Sequence, residues 1–230
     1  MQKESTYRTK IVDLLEHAEN YHNFYYQTEI FTGPSLYFHK RSLDTRYFEQ
    51  NDAAFEKHLE YIYATLASWG MHRMGPGGPK MKPFDIFKNS VSAMKDKIGA
   101  AQKISPDSIT QSDFDNLKDI FMTIKVMESK TSIIGNSKVM AHMLPNVIPP
   151  IDREYTLIFL KNNKNIKNDL EIEWQITKEF LTEFFIPVVV SNKFRETSKT
   201  WLKDNIRFPW DTSPLKIVDN LIIGAVRKRK

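Results

Sequence analysis

Apolar side chains recur at helical spacing along most of the chain, and this pattern divides it into amphipathic helices. Ile11, Leu14, Leu15, Ala18, Tyr21 and Tyr25 fall on one stripe, which predicts a helix over residues 7–25. Phe55, Leu59, Ile62, Leu66 and Trp69 alternate steps of four and three and predict the most regular helix, residues 53–69. Gly70 and the run Gly75-Pro76-Gly77-Gly78-Pro79 forbid its continuation. Phe84, Phe87, Val91, Met94 and Ile98 predict the next helix. Ser112 with Asp115 resembles a capping arrangement, and Phe114, Leu117, Phe121 and Ile124 follow on one face of the expected helix. A short helix is expected over 138–144, after a tight turn at 133–137 and before Pro145. Ile172, Ile176, Phe180 and Phe184 define a helix that Pro187 should stop, and residues 194–202 suggest another. Ser213-Pro214 reads as cap and first turn of a last helix carrying Leu215, Val218, Leu221, Ile222 and Ala225.

Between these stretches, 27–46 contains Gly33-Pro34 and mixed polarity and reads as a connection. The Asn- and Lys-rich segment 161–169 reads as an exposed loop. Only Val188-Val189-Val190 looks strand-like, and it is too short to support a sheet. The expected fold is therefore all-α: a compact multi-helix domain spanning 1–230. Two helical lobes are one possible subdivision, 1–75 with the C-terminal helices and 83–160, meeting at the 75–83 loop.

Composition narrows the function classes. Hydrophobic residues make up 41% and aromatic residues 12%, enough for a substantial interior. With only 8 glycines, the phosphate turns of Rossmann and P-loop enzymes are disfavoured. No stretch reaches the roughly 18 apolar residues of a membrane helix, and the first residues lack the apolar core of a secretory signal. The absence of cysteine excludes disulfides and thiolate zinc sites, which makes the cytoplasm the expected location. No histidine or carboxylate spacing makes a zinc set, so no metal and no cofactor is expected. A net charge of +5 and a pI near 9.1 suit a nucleic-acid partner. The run Arg227-Lys228-Arg229-Lys230 carries nearly all of that excess, leaving the body of the chain close to neutral.

The segment richest in candidate chemistry is 133–156. A glycine turn opening a helix leaves backbone N–H groups free to seat a phosphate, and Gly135, Asn136, Ser137 and Lys138 stand at that place. Asp152 follows Pro149-Pro150, which hold it rigidly where a new helix begins. A carboxylate held there can stabilise a sugar cation, activate a water, or cap the helix. His142 lies four residues after Lys138, on the same helix face. Trp69, Tyr61 and Tyr63 offer stacking surfaces or core packing. Arg73, Lys80 and Arg153 are candidate phosphate contacts.

The order of glycine turn, short helix, extended proline stretch, Asp and new helix resembles the core of the helix-hairpin-helix base-excision DNA glycosylases. The helix 59–69 is similar to an early helix of that superfamily. The resemblance, covering about 59–160, implies a hairpin that clamps DNA phosphate through backbone amides, with Gly135 as its second glycine. It implies that Asp152 assists base excision. Ile133 replaces the first hairpin glycine. Ser137 stands where bifunctional members carry a Schiff-base lysine, and Lys138 follows one position later, turned by about 100° on a helix. The implied activity is therefore that of a monofunctional glycosylase acting on a flipped base. The competing expectation is a non-catalytic helical domain that binds nucleic acid or another protein.

Overall fold

A computed structural model describes residues 2–48, 51–73 and 78–229, with side chains from residue 6 onward. Gly75 and Gly77 lie outside the described residues. The chain folds into α1 (Gln2–Glu16), α2 (Ala18–Thr28), α3 (Pro34–Asp44), α4 (Asp52–Ser68), α5 (Phe84–Ser92), α6 (Lys95–Ala101) and α7 (Gln111–Thr123). It continues with α8 (Ile133–Met143), a π-helical turn at Arg153–Leu157, α9 (Ile158–Lys161), α10 (Leu170–Phe180) and a second π turn at Leu181–Phe185. The last helices are α11 (Ile186–Val190), α12 (Asn192–Lys203) and α13 (Pro214–Lys228). The fold is all-α. The one sheet-like contact among the described residues is an isolated antiparallel bridge between Met81 and Met127. No helix among them is long and apolar enough to cross a membrane.

Helix α13 is the central element. Its predicted cap is in place, Ser213 Oγ accepting from Lys216 N at 3.1 Å. Leu215, Ile217, Val218, Leu221, Ile222 and Ala225 are all buried in a hydrophobic cluster that also draws on α1, α4, α7, α8 and α10. It lies directly against α2: a Cβ on Gly224 would fall 2.0 Å from the Tyr21 carbonyl oxygen. Glycine is what allows the two backbones to approach this closely.

Several elements depart from the sequence expectation. The stripe expected to form one helix over 7–25 is broken at His17, whose backbone turns to φ −108°, ψ 15°. The expected connection at 27–46 contains helix α3, Pro34–Asp44. Gly33, at φ +57°, turns the chain and Pro34 supplies a pre-set first turn, so the Gly-Pro pair starts a helix. Pro187 does not stop its helix either, and Val188–Val190 is helical. The π turn shifts bonding to five-residue spacing, with Ile186 N bonding Leu181 O, and Pro187 then sits in the first turn of α11, where no donor is required. Finally, α8 begins at Ile133, so Gly135 lies inside its first turn. A Cβ there would meet Met127 Cγ at 2.6 Å and Val126 Cγ1 at 2.9 Å; the glycine lets α8 pack against the bridge segment.

Candidate functional site

Helix α8 carries most of the residues singled out by sequence, and nearly every polar group on it holds a different part of the molecule. At its N-terminus the Glu173 carboxylate of α10 accepts from Ser132 N at 2.7 Å and Ile133 N at 2.6 Å. The amide seat expected to receive a phosphate is thus occupied by an internal carboxyl group. Glu173 is fully buried; that burial raises its carboxyl pKa, and the two amide donors oppose the rise. Gly135 is buried against Met127 and Val126. Asn136 Nδ2 donates to Phe121 O at 2.9 Å, tying α8 to the end of α7. Ser137 Oγ accepts from Ile151 N at 3.0 Å. Gly135, Asn136 and Ser137 therefore face inward, and their contacts are internal.

Lys138 is the first residue of this series to reach the surface. Its Nζ donates to Asp152 Oδ2 at 3.2 Å, closing a gap of 14 residues, and lies 5.6 Å from the centroid of the Trp69 ring. The Lys138 side chain retains 12% of its exposure and that of Asp152 retains 30%. Asp152 is in extended conformation and caps the following π turn, Oδ1 accepting from Glu154 N at 2.8 Å. Burial raises its carboxyl pKa. The Lys138 charge and the amides of Glu154 and Tyr155 outweigh that, leaving the pKa below its usual value and the group ionised at neutral pH.

Behind the pair runs a chain of neutral imidazoles. A carbonyl only accepts, so His142 Nδ1 donates to Lys138 O at 2.6 Å. His142 Nε2 must then accept, from His39 Nδ1 at 3.0 Å, and His39 Nε2 accepts from the Thr212 hydroxyl at 2.9 Å. Burial, together with the nearby lysines, pushes both histidine pKa values down, that of His142 to about 4. The small void lined in part by His39, Trp69, His142, Pro150 and Lys216 measures only about 10 Å³, room for about one water.

A second Lys–Asp pair lies deeper, on α13. Lys216 Nζ donates to Asp219 Oδ2 at 2.7 Å and to Asn220 Oδ1 at 2.6 Å. Asn220 Nδ2 passes the network to Asp211 Oδ1 at 2.8 Å, and Asp211 Oδ2 meets His22 Nε2 at 2.6 Å. Burial raises the Asp219 pKa, Lys216 opposes it, and the Asp152 charge raises it further, so the two pairs feel one another. Sequence reasoning missed this network. Its signal was present: Lys216, Asp219 and Asn220 make an i, i+3, i+4 polar stripe on an otherwise apolar helix.

The side chains of the remaining candidates make their contacts with groups other than the pair. Arg153 Nη1 donates to Lys164 O at 3.1 Å. Arg73 Nε donates to Gly70 O at 3.0 Å, and Arg73 and Lys80 are exposed on either side of residues 74–77, which lie outside the described residues. Tyr63 OH donates to Lys82 O at 2.7 Å, and Tyr61 lies under Arg41. Of the basic run at 227–230, Arg227 Nη1 donates to Thr28 O at 2.9 Å and its Nε to Tyr155 OH at 3.3 Å, while Arg229 pairs with Asp13 at 2.8 Å. Two of its charges are thus held by the fold; Lys230 lies outside the described residues. Among the described residues no three metal-ligating side chains come together. No known protein family, curated protein or solved structure matches the chain.

Proposed function

We propose that Lys138 and Asp152 form the reactive centre of a DNA-binding protein that excises a base in the manner of a monofunctional glycosylase. The observation that carries this reading is the pair itself. An ionised carboxylate is held 3.2 Å from an ammonium group, beside an indole face, with part of the carboxylate still open to solvent. In such a reaction water adds to C1′ of the sugar, the C1′–N bond breaks, and its electrons leave with the base. Asp152 stabilises the cationic sugar and takes the proton from the attacking water. Lys138 holds the carboxylate in place and presents positive charge to the flanking phosphate. The amide seat at the start of α8 has no part in this account, because Glu173 fills it. The protein would work in the cytoplasm, on an extruded base, with no cofactor.

A second reading is favoured by one contact. Asp152 Oδ1 caps Glu154 N at 2.8 Å, which is sufficient reason for an aspartate there in a non-catalytic binding domain. Incubation of the full chain with duplexes carrying uracil, an alkylated purine or an oxidised purine separates the two. Free base recovered by chromatography from any of them supports excision. Salt-sensitive binding with no base released favours the second reading, and neither binding nor release overturns both.

A further inference from the structure

The short extended segment that delivers Asp152 has an unusual hydrogen-bonding problem. Val147 N and Ile148 N bond back to Leu144 O, each at 3.0 Å, and Pro149 and Pro150 have no N–H to offer. Ile151 N and Asp152 N remain as donors in a segment with no neighbouring strand, with Ile151 fully buried. Buried amides need acceptors. Both are satisfied by side-chain hydroxyls from different elements. Ser137 Oγ of α8 accepts from Ile151 N at 3.0 Å, and Thr156 Oγ1 of the π turn accepts from Asp152 N at 3.1 Å. Both of these residues have no exposed surface.

We propose that Ser137 and Thr156 are positioning residues for Asp152: two buried hydroxyls that grip the successive peptide N–H groups of Ile151 and Asp152 and so set the distance from the aspartate carboxylate to Lys138. Their placement is what distinguishes them from ordinary packing. Ser137 is the immediate neighbour of Lys138, so its grip on Ile151 fixes the segment against the very turn that carries the ammonium. Thr156 belongs to the π turn whose Glu154 amide already holds the opposite end of the aspartate, through Oδ1. The residue is thereby held at its N–H and at its carboxylate by one element, and brought to its partner by another. Without the Ser137 hydroxyl, Ile151 N–H would be buried with no acceptor and the segment would move off α8. The role assigned here rests on the Lys138–Asp152 pair being the reactive centre, although the placement of the carboxylate does not depend on the reaction.

The test is titration of the Asp152 carboxyl by carbon NMR in the full chain labelled at aspartate, assigned with Asp152→Asn. Lys138 from α8 and Asp219 from α13 are the charged groups that act electrostatically between these elements and the site. Ser137→Ala and Thr156→Val should each move the Asp152 titration upward toward the ordinary 3.8, because the ion pair loosens. Ser137→Thr and Thr156→Ser, which keep a hydroxyl, should titrate as the wild type does. Titrations unchanged in both hydroxyl-less variants would overturn the assignment, as would equal shifts in the conservative ones. If Ser137→Ala does not fold, the Thr156→Val and Thr156→Ser pair decides by the same readout. Where base release is measurable, Ser137→Ala should lower the single-turnover rate on the order of 100-fold with little change in duplex affinity. A wild-type chain that releases no base would sink the excision reading and leave the titration result standing.

Discussion

The two Lys–Asp pairs, Lys138–Asp152 and Lys216–Asp219, use the same groups for different ends. The outer pair spans 3.2 Å, joins two segments 14 residues apart and keeps part of its carboxylate in solvent. The inner one spans 2.7 Å within a single helix, with side-chain exposures of only 10% and 6%. Their carboxyl groups also respond in opposite directions. For Asp152 the Lys138 charge and two backbone amides overcome burial and depress the pKa, whereas for Asp219 burial prevails over Lys216 and raises it. Proximity to a lysine therefore does not decide the state of a carboxylate. What decides it is how many further donors reach the group and how much water is left to it. The outer pair is built to present charge, and the inner pair to be hidden.

The sharpest way to break this contrast is to remove each lysine in turn. Lys216→Met leaves Asp219 buried without its countercharge and should cost about 3–5 kcal/mol in urea unfolding. Adding Asp219→Asn to it should recover part of the loss, since no charge then remains to be buried. Lys138→Met leaves a carboxylate that still has solvent and the Glu154 amide, and should cost about 1 kcal/mol or less. Equal losses for the two lysines would remove the distinction.

Acid provides a second probe, because the imidazoles behind the outer pair are buried and neutral. His142 has its pKa pushed down to about 4, while that of His39 is also well below 6.5; burial is the main cause in each. The folded pKa is the lower one, so the unfolded chain binds more protons throughout the interval. Their contribution is complete above pH 6.5 and is lost as pH falls from there toward 4. Each histidine should add a slope of about 1.4 kcal/mol per pH unit in that window. Asp152 adds to the acid loss at lower pH through its depressed pKa. Asp219 and Glu173 act with the opposite sign, giving stability below their unfolded pKa values that is lost as pH rises through their raised folded ones. His142→Gln should flatten the unfolding profile between pH 6.5 and 4.5 by about one proton. A profile already flat in the wild type would show that these imidazoles titrate freely.

The smallest effect is expected at Asp152 itself. Asp152→Asn keeps an oxygen for the Glu154 amide and gives up only the charge facing Lys138. Its stability should fall by about 1 kcal/mol or less, read as a shift in the midpoint of urea unfolding. A larger loss would place the pair among the structural ones, with Lys216–Asp219.

These contrasts show which parts of the molecule were legible in the sequence. The helices with regular apolar stripes, α4 and α13, could be read because burial on one face imposes its period on the residues. The break at His17, the start of α3 and the passage through Pro187 could not, since they depend on backbone geometry that tertiary packing selects. Asp152 and Lys138 were legible as candidate residues, and the proline pair implied the extended approach to the aspartate that the structure shows. That they meet was not legible: the contact crosses 14 residues and needs Ser137 to turn inward, where a helical wheel gives no partner for it. Nor could the sequence reveal that Glu173, some 40 residues downstream of Ile133, reaches back to occupy the start of α8. The inner network was hidden by expectation, because polar residues on a strongly apolar helix are easily assigned to its solvent face.

Base release under single-turnover conditions by the wild type and by Asp152→Asn, on the same lesion-bearing duplex, tests the central proposal most directly. Release by the wild type, and its loss in a variant that melts within a few degrees of it and binds the duplex equally well, is the predicted result. Equal rates for the two proteins would contradict it and leave Asp152 as a helix cap.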